Sequence, residues 1–136
     1  MKIIHFTHNA TDRLDTHDAI GVDFVPLADG RGETHISCAH LEPGAQINAP
    51  SMTHASALLV VHGRINITSR EGQTVNINIH SGMGAVFDKD QPYAFRSITG
   101  AIVLIVECDK LKVHARGIST PQRITGATWP SDILLV

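Results

Sequence analysis

Two neighbouring segments of the chain alternate strictly between apolar and polar residues. Residues Arg64–Thr68 read RINIT, and residues Val75–Ile79 read VNINI. This period of two is the period of a β-strand with one buried and one solvated face. The residues Arg70–Gln73 between them have turn composition, with a glycine that can take a positive φ. The pattern predicts a β-hairpin.

Short apolar runs and turn clusters recur along the rest of the chain. Leu58–Val61 and Ala101–Val106 are apolar runs, and the second is rich in the β-branched residues that favour strands. Turn-forming residues cluster at His80–Gly82 and Asp88–Pro92. The sequence shows no sustained helical periodicity, and its best helix candidate is the segment from Asn9 to Ala19. We therefore expect an all-β sandwich or barrel.

The composition is that of one globular domain spanning residues 1–136. Apolar residues make up 43% of the chain and charged residues 18%, and the formal net charge is −2. Such a balance is typical of a folded protein with a buried core. Lysine and arginine form no basic run, which argues against nucleic acid or an anionic membrane as a partner.

The same sequence features bear on the cellular compartment. No apolar run approaches the roughly 18 residues that would suggest a membrane span. The first residues lack the apolar core and cleavage site of a signal peptide. We therefore expect a cytoplasmic protein in which Cys38 and Cys108 are free thiols rather than a disulfide.

Residues 115–136 differ in composition from the segments before them. They contain Pro121, Pro130, two glycines and the only tryptophan, Trp129. We expect an ordered but irregular extension, lying across the barrel or across a neighbouring subunit. Trp129 would anchor it, because a large apolar ring is costly to leave in water.

Three glycines, Gly44, Gly63 and Gly82, mark the ends of two segments with a recognisable spacing. Residues Gly44–Gly63 read GAQINAPSMTHASALLVVHG and resemble the first motif of the cupin family, with both end glycines in place. The segment GMGAVFDKDQPYAFRS, which begins at Gly82, resembles the second motif. The resemblance covers about residues 34–107, the expected barrel core. It implies an all-β fold, a single double-stranded β-helix or jelly-roll barrel, followed by the irregular extension.

The resemblance also implies where a metal would bind. Members of the family hold Fe, Mn, Ni or Zn through three histidines and one glutamate, ligands that suit these ions. The four matching positions in this sequence are Pro50, Met52, Ser56 and Tyr93. Proline has no side-chain donor, a thioether is a poor ligand for hard ions, and neutral hydroxyls are weak ones. We therefore expect no metal at these positions and no cofactor.

A barrel of this kind keeps a cavity at the former metal position. Apolar walls with a few polar groups are the usual composition of a small-molecule pocket. The residues expected to line it are Cys38, Pro50, Met52, Ser56 and Phe95, together with His40, His54 and Tyr93.

Three functions fit such a pocket. The first is a metal-independent isomerase, lyase or cyclase acting on a small organic substrate. Cupins that are epimerases use a histidine base and a tyrosine acid, and here His40 and Tyr93 would be that pair, with His54 as the alternate base. The second is a non-catalytic ligand-binding or sensor protein. The third is a metalloenzyme with a relocated site formed by His40, Cys38 and His54, which strand alternation could place on one face.

Two further expectations concern surfaces. We expect His35, His62 and His80 to face solvent, because they lie near turns or alternate with the positions expected to face the barrel interior. The run Ala101–Val106 is apolar at every position. A strand that is apolar on both faces fits a buried interface, so we expect a homodimer.

Overall fold

The computed structural model describes residues 1–7, 11–16, 19–49, 53–114 and 118–119. These residues form strands joined by turns, and no helix occurs among them. The strands are β1 Lys2–His5, β2 Asp12–Thr16, β3 Ala19–Phe24, β4 Ala28–Leu41, β5 Gln46–Ala49, β6 Ala55–Glu71, β7 Gln73–His80, β8 Met83–Phe87, β9 Tyr93–Arg96, β10 Ala101–Val113 and β11 Ile118–Ser119.

The long strand β6 connects the two halves of an antiparallel jelly-roll barrel. Its first half, Ala55–Gly63, pairs with β10 and in part with β8. Its second half, Arg64–Glu71, pairs with β7 and in part with β9. Within the larger sheet the strand order is β11-β1-β8-β6-β10-β4, and β5 joins through β9. The all-β barrel expected from the sequence is confirmed.

The hairpin predicted from the alternating segments is present as β6 and β7. Their register runs from Arg64 opposite His80 to Glu71 opposite Gln73. Gly72 forms the turn with a φ of 77°, a conformation that residues with a Cβ rarely adopt. The alternating isoleucines and Val75 are directed to the core, while asparagines on the other face bond to one another across the strands.

One main core fills the barrel. Its largest fully buried side chains include Phe87, Leu58, Ile65 and Val103. Burial of such side chains contributes about 1.5–3 kcal/mol each, which is the main force that holds the sheets together. A smaller cluster around Ile4, Ala57 and Val86 packs on the outer side of the same sheet.

The three glycines that resemble the cupin motifs all occupy left-handed backbone conformations. The φ angles are 87° at Gly44, 84° at Gly63 and 87° at Gly82. A Cβ at Gly63 would also overlap the carbonyl oxygen of Gly100, the residue before β10. These glycines are therefore required by the backbone path, independently of any bound metal.

The helix candidate from Asn9 to Ala19 is wrong. Residues Asp12–Thr16 form β2, which pairs with β3 in a separate two-stranded sheet. Arg13 and Asp23 form an ion pair across this hairpin at 3.2 Å. Cross-strand pairing outweighs the weak helical pattern of this segment, because helix propensity is only a weak prior.

The expected C-terminal extension lies mostly outside the described residues. Within it, Ile118 and Ser119 form β11, which pairs with β1 opposite Ile4 and Ile3. Trp129 and the rest of residues 120–136 are outside the described part of the chain. Since the described residues contain no helix, none of them forms one suited to crossing a membrane.

Candidate functional site

Ser56 and Tyr93 meet inside the barrel. Ser56 is near the start of β6, and Tyr93 is the first residue of β9. The two residues are 0% and 2% exposed, and the Ser56 hydroxyl donates to the Tyr93 hydroxyl at 3.5 Å. The resemblance implied that both positions line the interior, and they do. This distance is at the long limit of a hydrogen bond, so the contact is weak.

Aromatic rings surround the Tyr93 side chain. Phe87 stacks on Tyr93 with ring centroids 4.0 Å apart and an interplanar angle of 12°. Phe95 lies on the same strand with its ring centroid 6.3 Å from that of Tyr93, and it is also buried. The interior around the hydroxyl pair is therefore apolar and lined by aromatic rings.

The surroundings of Tyr93 keep its phenol neutral. Burial raises the pKa of Tyr93 above its ordinary value of 10.0; the Ser56 hydrogen bond opposes the shift and the negative charge of Glu107 adds to it. The phenol is thus a hydrogen-bond donor and a potential proton donor at neutral pH. Neutral hydroxyls at Ser56 and Tyr93 do not fit the divalent ion that the resemblance to the cupin motifs would imply at these positions. Pro50 and Met52 lie outside the described residues.

His40 and Cys38 do not face this interior. Both are exposed on β4, whereas Ala39 and Leu41 of the same strand pack against the main core. Alternation along the strand therefore directs His40 and Cys38 outward. The expected inward orientation of His40 and Cys38 is wrong, because the inward positions of β4 are the neighbouring residues Ala39 and Leu41. Both side chains are therefore directed away from Tyr93 and the barrel interior. Both Cys38 and Cys108 are free thiols, as expected.

His54 lies at one end of the barrel, just before β6. Its side chain is 18% exposed. Its Nε2 atom lies 3.3 Å from Oδ1 of Asp109 and 3.7 Å from Oε2 of Glu33. Its Nδ1 atom lies 2.9 Å from the hydroxyl oxygen of Thr53. Two carboxylates and one hydroxyl therefore hold the ring in place.

His35 joins the same group from β4. Its Nε2 atom lies 2.9 Å from Oε1 of Glu33, two residues earlier on the strand. The His35 and His54 rings meet edge to face, with centroids 5.9 Å apart. His35 is 56% exposed, as expected, but it has defined partners. We call Glu33, His35, His54 and Asp109 the mouth cluster.

A β-bulge positions Asp109 in the mouth cluster. The register between β10 and β4 shifts between Cys108 and Lys110, where Asp109 on β10 lies opposite two residues of β4, Gly32 and Glu33. Oδ2 of Asp109 accepts a hydrogen bond from the backbone N–H of Glu33 at 2.8 Å. Gly32 has a φ of 84°, and a Cβ there would overlap the Asp109 side chain. The bulge and this glycine together admit the carboxylate.

The mouth cluster and the interior hydroxyl pair share one face of the sheet. Glu107 on β10 lies opposite both His35 on β4 and Ser56 on β6. Opposite residues in neighbouring strands project from the same face. His54 precedes Ser56 by two residues, a separation of about 7 Å along an extended chain. The mouth cluster therefore lies at the barrel end nearest to Ser56.

Sequence reasoning included His54 but missed three of its partners. The spacing of Glu33 and His35, two residues apart, puts both on one face of a strand and was a usable signal. Asp109 carries the same kind of signal, since it lies two residues after Glu107 on β10, but its approach to Glu33 depends on the register and bulge between β10 and β4.

The comparisons with known proteins concern the fold. No protein-family model matches the chain, and no curated protein sequence matches it. Among solved structures, a conserved protein of unknown function from Streptococcus pyogenes is similar at a TM-score of 0.52 and 19% identity, over 59% of this chain and 68% of that one.

Two other solved structures extend this likeness. Oxalate decarboxylase from Bacillus subtilis is similar at a TM-score of 0.54 and 20% identity, over 57% of this chain but only 21% of that enzyme. The Cnp3 cupin domain of Schizosaccharomyces pombe is similar at a TM-score of 0.51 and 11% identity, over 63% of this chain and 69% of that one. At these identities the likeness is one of architecture.

Proposed function

We propose, from the premise that this chain has the cupin fold, that its barrel binds a small organic ligand beside Tyr93 and Ser56. One observation carries the proposal. Two buried hydroxyls face each other in an apolar interior, and the single contact between them is long. Buried polar groups normally have well-formed hydrogen bonds, so these hydroxyls retain capacity for a ligand oxygen or nitrogen.

The lining favours a small ligand without a strong negative charge. The rings of Phe87 and Phe95 offer apolar contact, and the two hydroxyls offer one or two hydrogen bonds. Glu107 lies on the same face and its charge acts on Tyr93. An anionic ligand would be repelled by that carboxylate unless a cation accompanied it.

The catalytic form of this proposal assigns Tyr93 as the acid. Its neutral phenol can donate a proton to a substrate held in the barrel. His40 is directed outward, so it is not proposed again as the base. His54 stays as the candidate base, because it lies on the inner side of the barrel end two residues from Ser56. The reaction would be an isomerisation, elimination or cyclisation that needs no metal at the interior position.

Binding without catalysis is the second candidate function. One observation favours it. His54 is the histidine nearest to Ser56 along the chain, and its imidazole contacts Asp109 and Glu33 rather than Tyr93. A sensor protein needs only the hydroxyl pair and the apolar walls. The two candidates differ in whether bound ligand is converted.

A thermal-shift screen of small neutral metabolites tests both candidates. Compounds that stabilise the native chain are titrated into Tyr93→Phe and Ser56→Ala, with His62→Ala as an exposed control. Loss of one hydrogen bond should weaken binding about three- to tenfold in the first two variants and leave the control unchanged. Equal affinity in all variants would place the ligand elsewhere. Conversion of bound compound, followed by NMR and abolished in His54→Ala, would favour the enzyme.

We also propose that the chain forms a homodimer through the outward face of β4 and β10. Ile36 is 71% exposed on this face and lies opposite the half-buried Val106. The half-buried Leu104 and Ile102 lie further along β10 on the same face. Light scattering should give a mass near twice 14.7 kDa for the native chain and near the monomer for Ile36→Asp. Ile98→Asp is the matched control, since Ile98 is 74% exposed but lies between β9 and β10. A dimer that survives Ile36→Asp would rule out this face.

A further inference from the structure

We propose that the mouth cluster binds one divalent transition-metal ion through Glu33, His35 and His54, with Asp109 as a positioning residue. This inference goes beyond the proposed ligand pocket and does not rest on it. His54 cannot be a metal ligand and the catalytic base at the same time, so metal binding at His54 would exclude it as the base of the catalytic form. The three ligand residues differ from the four positions that the cupin motifs would use, which here are Pro50, Met52, Ser56 and Tyr93.

The ligand atoms lie close to the spacing that an ion requires. One carboxylate or imidazole atom from each of Glu33, His35 and His54 lies within 4.8 Å of the other two. Oε1 of Glu33 lies 2.9 Å from Nε2 of His35, and Oε2 of Glu33 lies 3.7 Å from Nε2 of His54. Ligand atoms that share one ion at about 2.0–2.2 Å are separated by about 3.0–3.5 Å. Small side-chain movements therefore suffice for coordination.

The donor set suits a first-row transition ion. Two imidazoles and one carboxylate are the ligands that Zn, Fe, Co and Ni accept, whereas Mg and Ca prefer oxygen alone. This end of the barrel also carries three carboxylates: Glu33 on β4, and Glu107 and Asp109 on β10. A cation would relieve the repulsion among them.

The ligands are supported by a second set of contacts. The Thr53 hydroxyl lies 2.9 Å from Nδ1 of His54. Nε2, which lies 3.3 Å from Oδ1 of Asp109 in this structure, is therefore the nitrogen that would turn to the ion. Asp109 accepts from the Glu33 backbone N–H at 2.8 Å and so fixes that part of β4. Partners of this kind orient metal ligands, and their loss typically weakens metal binding about 10- to 100-fold.

The proposed ion would have open coordination positions. Glu33 and His35 are 63% and 56% exposed, so water reaches the cluster from outside. Three protein ligands with open positions are the arrangement of sites that bind a substrate or water directly. The inner side of the cluster adjoins the row formed by His35, Glu107 and Ser56. A ligand oxygen in the barrel end would be within reach of this ion.

Isothermal titration of the untagged, chelator-treated chain with Zn²⁺ tests the proposal. We expect one ion per chain with a dissociation constant in the micromolar range or below. His54→Ala, His35→Ala and Glu33→Gln should each weaken binding at least about tenfold, and Asp109→Ala should weaken it by about 10- to 100-fold. Titration with Co²⁺, followed by its visible absorption, reports whether nitrogen and oxygen ligands surround the ion.

The controls separate this site from the other histidines and from the ligand pocket. His40→Ala removes an exposed imidazole on the outward face, and Tyr93→Phe removes the interior phenol; neither should change Zn²⁺ affinity. Glu33→Gln is a conservative change of an exposed side chain, so it reports on the site even if His54→Ala fails to fold. No binding, equal weakening by His40→Ala, or undiminished binding in Glu33→Gln and His35→Ala would overturn the proposal.

Discussion

The interior and the mouth of the same barrel end differ sharply in chemistry, although they are about two residues apart along β6. At the interior, Ser56 and Tyr93 place neutral hydroxyls among aromatic rings. At the mouth, His35 and His54 meet the carboxylates of Glu33 and Asp109, which are more than half exposed. The difference shows that one barrel end can hold neutral hydroxyls in one layer and bring imidazoles and carboxylates together in the next.

Burial explains why the two layers differ. Side chains at the interior must pack against Phe87 and Phe95, so any charged donor there needs a partner to offset its desolvation. Side chains at the mouth remain partly hydrated, and carboxylates and imidazoles are tolerated without such compensation. Three sets of variants and one pH titration test whether this contrast holds.

The largest expected effect is at the interior. Phe87 is fully buried and stacks on Tyr93, so Phe87→Ala should lower the free energy of unfolding by about 3–5 kcal/mol. Urea denaturation followed by circular dichroism measures the change. Ile98→Ala, at a residue that is 74% exposed, should stay within about 0.5 kcal/mol of the native chain. A loss below about 1 kcal/mol at Phe87 would mean that the interior is loosely packed.

The next effect concerns the scaffold that both layers share. Gly63→Ala should cost about 2–4 kcal/mol, because it combines a left-handed backbone with overlap against the Gly100 carbonyl. Gly44→Ala should cost only about 1–2 kcal/mol, since Gly44 has the same φ region but open space around it. Urea denaturation measures both changes. Equal losses of unfolding free energy in the two variants would show that contact with the Gly100 carbonyl adds no cost at Gly63.

A pH titration sharpens the description of the interior. Burial raises the pKa of Tyr93, so its phenolate should form at a higher pH in the folded chain than in denaturant, where it forms near 10.0. The unfolded chain then loses its proton first, and the free energy of unfolding falls as pH rises above 10.0. Absorbance at 295 nm measures this, because Tyr93 is the only tyrosine. Identical midpoints would mean that water already reaches the phenol.

The smallest expected effect is at the mouth. His35→Ala in the chelator-treated chain should change the free energy of unfolding by less than about 1 kcal/mol, because exposed ion pairs contribute little. The same urea denaturation measures it. A loss above about 2 kcal/mol would mean that the mouth cluster stabilises the barrel, and the contrast between the two layers would then be smaller than we describe.

Local pattern predicted the fold better than it predicted side-chain orientation. The alternating segments identified the β6–β7 hairpin, and the glycine spacing identified the barrel, because both are set by neighbouring residues. The sequence pattern did not show which residues of β4 face inward. Ala39 and Leu41 pack in the core, so His40 between them faces outward. Asp109 depended on a bulge, which no alternating pattern reveals. Long-range register therefore accounts for the part of the site that sequence reasoning missed.

Gly32 offers a way to recognise relatives that share the mouth cluster. Its missing Cβ is what admits the Asp109 side chain, so Gly32 and Asp109 should vary together in evolution. The cupin motifs that this sequence resembles would not retrieve such sequences, because Pro50, Met52, Ser56 and Tyr93 stand at the matching positions. A more selective signature is Gly-Glu-x-His on β4, Thr-His before β6 and Cys-Asp near the middle of β10. Genomes that preserve this signature, and their gene neighbourhoods, would point to the chemistry that the barrel serves.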